Sequence, residues 1–400
     1  MSQRILLIII AMFTLSAFAD DKTYYLDRQN GEMLKYRDDQ AVLNLNVQAK
    51  HTDNYLHQKN DAASTTYYEF APNLKAQYHN DVQMLQFGLW ATARKINEFS
   101  EDDTTDSYSL LKYHHKLTPN QSVVISGAHF DHYLERGTGL SKGQGTVLAE
   151  RDHRKSNFIN AAYQLGTEDS NATLFTVLGR RNTSYKNRLE ATRGLNLSAN
   201  YFVLDFQYLL SGRSYLTSKL AYEDVNHDFS VQQDRQVTSA LFGIKWHKTD
   251  YTHFDLSLGT VNVNFERGNL ESKQDFKWDF KFRWSPIEQI EIATFTYRSI
   301  DENRRIENSY LITDKLGLNF TYRFTEDVEF YFQNIFDKLE YYFETGNEDE
   351  RIFTSDLTIY YKFRRNMSWS LSLKHQRLDS VVEENDFKRN TISLGYSFVI

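Results

Sequence analysis

The stretch Phe276-Lys277-Trp278-Asp279-Phe280-Lys281-Phe282-Arg283-Trp284 decides the fold. Five aromatic residues occupy one phase and four charged residues the other, the period-two pattern of a strand with two unlike faces. Five large rings in a row cannot stand in water without forming an association-prone patch. Four charges in a row cannot enter a packed core without a large desolvation cost. Hydrocarbon on one side and water on the other satisfies both faces, and a transmembrane β-barrel offers that pair of solvents. A β-sandwich would accommodate the alternation but does not call for so large a ring at every outward step.

Working outward from this stretch, the same pattern recurs. Leu316, Leu318, Phe320, Tyr322 and Phe324 oppose Lys315, Asn319, Thr321 and Arg323. Leu357, Ile359, Tyr361 and Phe363 oppose Asp356, Thr358, Tyr360 and Lys362. Leu85, Phe87, Leu89, Ala91 and Ala93 oppose Gln86, Trp90, Thr92 and Arg94. The chain ends with Ile392, Leu394, Tyr396, Phe398 and Ile400 against Thr391, Ser393, Gly395 and Ser397. Such a terminal strand resembles the signal read by the barrel assembly machinery, although that signal more often ends in Phe.

Tight turns are expected near His79-Asn80-Asp81, Thr118-Pro119-Asn120, Thr167-Glu168-Asp169, Ser211-Gly212-Arg213, Lys248-Thr249-Asp250, Ser285-Pro286-Ile287, Thr325-Glu326-Asp327 and Arg365-Asn366. Longer polar loops alternate with them near 51–65, 98–105, 135–152, 182–192, 225–235, 266–273, 301–308, 342–352 and 379–387. The expected fold is therefore an all-β transmembrane antiparallel barrel of about 18 strands, or 16 if weak segments merge, with short periplasmic turns and long extracellular loops. Pro72 inside a strand pattern predicts a bulge or a point outside the bilayer. A phase change near Tyr201-Phe202 predicts another.

Composition agrees. The chain has 400 residues, with 26 Tyr and 28 Phe but three Pro and no Cys, so no disulfide framework exists. Mean hydropathy is −0.60, so the apolar residues are placed by pattern rather than by abundance. A net charge of −7 without a basic run argues against nucleic acid as a partner. Arg4, the apolar run Ile5 to Phe18 and Ala17-Phe18-Ala19 read as a signal peptide over 1–19. Residues 20–40 read as a polar periplasmic segment and 41–400 as the barrel.

Catalytic and metal chemistry finds little support. Asp102-Asp103 and Asp131-His132 could activate water, but acidic pairs are common in solvated loops. His114 and His115 are adjacent, so on a strand they point to opposite faces and do not chelate one metal. No catalytic residue, metal site or cofactor is assigned. The stretch Tyr133-Leu134-Glu135-Arg136-Gly137-Thr138 leaves a strand top and enters a loop rich in glycine, where Glu135, Arg136, Gly137 and Thr138 are candidates for a constriction folded into the lumen, the alternative being an ordinary flexible outer loop.

Three parts of the chain resemble the putative β-barrel porin 2 family. They are Val42-Leu43-Asn44-Leu45-Asn46-Val47 with His51-Thr52-Asp53-Asn54-Tyr55, then Phe70-Ala71-Pro72-Asn73-Leu74, and most strongly Tyr133 to Thr138. All lie in the first 150 residues. Members of that family often sit in loci for exopolysaccharide synthesis and export, so the resemblance implies an outer-membrane conduit for a secreted polysaccharide. It implies no catalytic residues. A general or solute-specific diffusion porin, and a structural or adhesive barrel, are the alternatives. Expected partners are outer-membrane lipid and lipopolysaccharide, the barrel assembly machinery, polysaccharide and periplasmic export proteins. The expected lumen face includes Lys277, Asp279, Lys281, Arg283, Lys315, Arg323, Asp356, Tyr360 and Lys362. Its basic members form either a stripe that attracts anions or part of a balanced charge network.

Overall fold

Eighteen antiparallel strands close into one ring. The computed structural model describes residues 41–400 apart from 147, 149, 168, 169, 250, 267–271, 302–309, 344 and 345. The signal peptide and the segment 20–40 lie outside the described residues, as do parts of the turn at 167–169 and of the loops at 266–273 and 301–308. The strands are β1 (Ala41–Thr52), β2 (Thr65–His79), β3 (Gln83–Ile96), β4 (Thr104–Thr118), β5 (Gln121–Tyr133), β6 (His153–Leu165), β7 (Ala172–Tyr185), β8 (Leu197–Ser211), β9 (Ser214–His227), β10 (Arg235–Thr249), β11 (Thr252–Phe265), β12 (Lys273–Ile287), β13 (Ile290–Asp301), β14 (Tyr310–Arg323), β15 (Val328–Phe343), β16 (Gly346–Arg364), β17 (Met367–Ser380) and β18 (Phe387–Val399). Each pairs with its neighbours in sequence, and β18 returns to β1 from Asn44↔Val399 to Thr52↔Thr391. Closure leaves no open edge, so backbone donors and acceptors are satisfied between strands where no water can reach them.

Directly paired residues share a face of the sheet. The register therefore carries the orientation of Phe276 round the ring and returns it unchanged. Leu258 pairs with Trp278, Leu316 with Phe336, Leu357 with Leu373, and Leu45 with both Pro72 and Phe398. Leu220, Leu258, Leu318, Leu373 and Leu394 stand exposed on the outside and form an aliphatic band. Tyr78, Tyr208, Trp246, Trp284, Tyr361 and Trp369 ring it near the short turns, and Tyr68, Tyr222 and Phe276 near the long loops. Two aromatic girdles round an apolar band are what the two lipid–water interfaces select.

Several expected details change. The β2–β3 ladder runs Phe70↔Ala93 and then Asn73↔Trp90 in unchanged register, so Pro72 interrupts the pairing without creating a bulge. Proline lacks the donor but its φ suits a strand. β8 holds a constant register with β7, and with β9 as far as Leu209, so no bulge lies at Tyr201-Phe202. The phase change arises because the inner wall there is apolar: Ala162, Val177 and Val203 pack together with Phe175 and Tyr201. Pro286 lies within β12 at a register shift between Trp284 and Ile287, rather than in the turn. The predicted loop 342–352 is mostly strand, since β15 and β16 pair up to Phe343↔Gly346. Charged residues mark a loop only at membrane depth; above the bilayer a hairpin can project into water. Strands likewise reach to Tyr185, His227 and Ser380, into the loops expected at 182–192, 225–235 and 379–387.

One seam is distinct. The β12–β13 ladder stops at Asp279↔Tyr297, although β12 continues to Lys273 and β13 to Asp301. Arg298 spans this seam. Its Nη1 reaches Asp275 of β12 at 3.1 Å and its Nη2 reaches Asp314 of β14 at 2.6 Å, while the guanidinium lies 4.8 Å from the Trp278 ring.

Candidate functional site

The β5–β6 connection, residues 134–152, crosses the mouth of the barrel. Its tip residue Lys142 donates to Glu350 of β16 and lies 3.3 Å from Tyr341 Oη of β15. β15 stands nine positions round the ring from β6, which is diametrically opposite in a closed set of eighteen. Both receiving side chains point inward and are almost fully buried.

The root of the loop is held by a buried charge pair. Arg136 donates through Nε to Asp102 Oδ2 at 2.7 Å and through Nη2 to Oδ1 at 2.5 Å. Asp102 is 0% exposed and Arg136 3%. Asp102 ends a single helical turn, Ser100–Asp102, that follows β3, and it also accepts from Tyr55 Oη at 2.9 Å. A two-pronged guanidinium–carboxylate contact sets orientation as well as position. Arg136 Nη1 also donates to the carbonyls of Gly145 and Leu148, so one side chain closes the loop on itself. Gly137 has φ +74°, and a Cβ there would lie 2.1 Å from Leu56 O. Only glycine fits that crossing of two loops.

Beside it, His57 of the β1–β2 loop bridges the loop to the wall. Its Nδ1 lies 2.8 Å from the Arg136 carbonyl, which can only accept, so Nδ1 carries the proton. Nε2 is then the acceptor for Arg389 Nη1 at 2.7 Å, and Arg389 also binds Glu135 at 3.0 Å. Burial pushes the imidazole pKa down to about 4; Arg389 adds to this, Glu135 and the Arg136 carbonyl oppose it, and Lys374 lowers it further. The free-chain value is 6.5, so a released loop takes up a proton that the anchored loop refuses. Anchoring is complete above pH 6.5 and weakens as pH falls from 6.5 towards 4, by up to roughly 3 kcal/mol. Conductance or loop proteolysis followed from pH 7.5 to 4.5 should show progressive release, and His57→Gln should flatten the profile. A flat profile in the unaltered protein would remove this role for His57.

The other expected lumen residues all face inward by register. Three of the six basic residues among them have a carboxylate partner. Lys281 pairs with Asp279 at 3.4 Å, Lys315 with Asp337 at 3.3 Å, and Arg323 with Glu329 at 3.2 Å. Asp356 accepts from Thr358 and Ser372. Lys277 stands on the same face, and Tyr360 pairs in register with Ser370. Arg283 and Lys362 have no ion pair among the described residues. Of the water-activating candidates, Asp102 is consumed by Arg136, and Asp131 faces outward to His153 and Lys155. His114 and His115 lie on opposite faces, at Val124 and Val123.

Sequence reasoning missed an inner row of rings. Trp90 (β3), Tyr108 (β4), Phe130 (β5) and Phe158 (β6) project inward from four successive strands. Their ring centroids are separated by 4.6, 4.3 and 5.4 Å in that order. Asn73 of β2 continues the row, paired with Trp90. The Trp90 indole reaches over Gly88, where a Cβ would come within 2.1 Å of it. The signal in the sequence was an aromatic on the polar phase, visible in Trp90 but legible as a row only once register aligned it with its neighbours.

A closed eighteen-strand barrel with an apolar belt, two aromatic girdles, a polar lumen and a mouth-crossing loop defines a porin-like protein of the outer membrane. The chain belongs to the family described as putative beta-barrel porin 2, whose model matches residues 186–398. The match covers the second half, whereas the motifs that suggested the family lie in the first 150 residues. No curated protein matches the chain. Among solved structures, Pseudomonas aeruginosa OccK2 (OpdF) is 12% identical with a TM-score of 0.50, covering 91% of this chain and 98% of that one. Pseudomonas aeruginosa OpdO is 12% identical at 0.49 over the same shares. The siderophore receptor PirA from Acinetobacter baumannii is 8% identical at 0.45, covering 91% of this chain and 81% of that one. At these identities the likeness concerns the fold.

Proposed function

We propose that the barrel is a diffusion channel for small hydrophilic solutes whose aperture is set by the β5–β6 loop. The observation that carries this is the loop tip, Lys142, seated on Glu350 of the opposite wall while Arg136 fixes the root on Asp102. A loop tied at both ends narrows the passage and leaves water on either side of it. The pairing of Lys281, Lys315 and Arg323 with carboxylates lowers the net charge that a passing ion meets. Refolded protein in liposomes should admit small sugars and amino acids with a sharp upper size limit. Failure of every solute to enter, in vesicles where the barrel is shown to be folded, would overturn the channel.

Export of an exopolysaccharide is the second reading, favoured by a hydroxyl- and amide-rich sector of the inner wall. Asn44, Asn46 and Gln48 on β1 adjoin Ser393 and Ser397 on β18, Ser370 and Ser372 on β17, and Thr358 and Tyr360 on β16. In that reading the loop moves aside for the polymer, and periplasmic export proteins deliver the chain. Secreted polysaccharide that falls in a deletion strain and recovers on complementation supports export; unchanged secretion removes it. Above the upper girdle, outward Lys155, Arg180, Arg377 and Lys388 suit lipopolysaccharide phosphates. The outward phase of β18, Ile392, Leu394, Tyr396 and Phe398, suits recognition by the assembly machinery.

A further inference from the structure

We propose that the seam between β12 and β13 is a lateral opening through which a single-chain amphiphile passes between the lumen and the outer leaflet. The proposal goes beyond the channel reading and does not rest on it.

The upper ends of β13 to β15 pass inside the wall formed by β11 and β12. Register gives each side chain its face, and three contacts join an inward side chain of β11 or β12 to an outward one of β13 to β15. The rings of Phe265 (β11) and Tyr310 (β14) lie 5.9 Å apart between centroids. Lys273 Nζ of β12 stands 3.8 Å from the centre of the Tyr342 ring of β15. Asp275 of β12 accepts from Arg298 Nη1 of β13 at 3.1 Å. Burial agrees. Tyr310 and Ile312 at the top of β14 are 4% and 1% exposed, whereas Leu316 and Leu318, lower on the same outward phase, are 50% and 42% exposed. The wall therefore overlaps itself here, as the edges of a rolled sheet do.

The sequence supplies a reason for the parting. Register continued from Asp279↔Tyr297 would set Asp275 directly opposite Asp301, two carboxylates on one face. The strands separate instead, and side chains alone hold the seam. Trp278 Nε1 donates to Thr296 Oγ1 at 3.1 Å, and Arg298 links Asp275 to Asp314 across the Trp278 ring. Opening therefore breaks a few side-chain contacts and no backbone ladder. The mouth loop bears on the same flap from within, since Glu350 and Tyr341, which Lys142 grips, belong to β16 and β15. Release of the loop tip frees the flap to swing outward.

The height of the seam limits what can use it. Trp278 lies one outward step, about 7 Å, below Phe276 of the upper girdle. The opening therefore faces the outer leaflet where headgroups give way to hydrocarbon. A strongly hydrated solute cannot leave there without a large desolvation cost. Trp278 and Phe280 stand on the outer side of its base. Phe295 and Tyr297 stand on the inner side, with ring centroids 6.3 Å apart. An alkyl chain between them keeps aromatic carbon on both sides. Lys273, Asp275, Arg298 and Asp314 at the upper rim offer polar contacts to its head. The parting is a single gap between two strands, which suits one chain.

The test uses the folded protein in lipid vesicles. The chain has no cysteine, so an introduced thiol is unique. Ser299→Cys places one on the inner face beside the seam, and Ser393→Cys places one on the inner face within an unbroken ladder. A maleimide on a hexadecyl chain, confined to the bilayer, should label the first and spare the second, while a water-soluble maleimide labels both. Arg298→Ala should speed the bilayer-borne reaction at Ser299→Cys about tenfold, the factor for losing one charge-assisted contact. In a second arm, fluorescent lysophosphatidylcholine is placed in the inner leaflet and albumin outside extracts what crosses. The unaltered protein should speed transfer over empty vesicles. A reducible linker joining Asp275→Cys to Arg298→Cys should stop it, and reduction should restore it. Equal bilayer-borne labelling at both positions, or labelling indifferent to Arg298→Ala, overturns the opening. Labelling without transfer, or transfer that persists through the linker, overturns passage of the amphiphile. Conductance, read separately, decides the diffusion channel in either case.

Discussion

Arg136→Ala will release the loop from the mouth of the barrel and raise the single-channel conductance severalfold. Asp102 is fully buried, and Arg136 supplies both of its charged contacts within 2.7 Å. Removing the cation leaves a carboxylate with only the Tyr55 hydroxyl, a loss of about 3–5 kcal/mol for a broken buried pair. The same substitution frees the carbonyls of Gly145 and Leu148, so the loop also loses its internal tie. None of these contacts lies in a strand ladder, so the barrel should still migrate as a folded species on unheated gels. Asp102→Ala combined with Arg136→Ala should recover part of the loss, because no charge is then stranded. The readouts are conductance and protease cleavage between residues 138 and 146. A loop that stays protected, with unchanged conductance, would show that Lys142 and Arg389 suffice and that Arg136 is dispensable.

Leu373→Arg will destabilise the barrel by about 2–4 kcal/mol, the range for an arginine on the lipid face near the bilayer midplane. Leu373 faces outward between Leu357 and Ile392. Ser372→Arg, one residue away, will cost little, because Ser372 faces the lumen and donates to Asp356, which can receive a guanidinium. The comparison holds strand, depth and substituent constant and changes only the solvent met. Unfolding in urea from lipid vesicles measures both. Equal losses would mean that the two faces do not differ in solvent, and the assignment of a membrane barrel would fail with them.

Much of this architecture was legible because alternation reports the environment of each face. Phe276 to Trp284 required lipid on one side and water on the other, and the structure places its lysines and arginine inward as expected. The count of eighteen strands followed from the spacing of turns. What misled were residues whose local signal had two causes. Pro72 could mark a bulge or merely a missing donor, and register shows the latter. The charged run at 342–352 could be a loop or a hairpin rising above the bilayer, and it is the hairpin. The phase change in β8 could be a bulge or an apolar patch of lumen, and Val203 with Ala162 and Val177 shows the patch.

The site divides in the same way. Glu135, Arg136, Gly137 and Thr138 stood out by composition, but nothing near them in sequence indicated that Asp102, His57 and Arg389 would meet them. Those contacts join residues more than thirty positions apart. Lys281, Lys315 and Arg323 looked like part of a bare stripe because their carboxylate partners stand on a neighbouring strand or two residues along the same one.

Period-two alternation and turn spacing determined by themselves that this chain is a membrane barrel, since each depends on which solvent a residue meets and on its nearest neighbours in the chain. Only the tertiary structure decided that the mouth is crossed, that Lys281, Lys315 and Arg323 are paired and that four rings form a row. Each of those requires the stagger between strands and the closure of β18 on β1, and a ring brings together residues that sequence distance keeps apart.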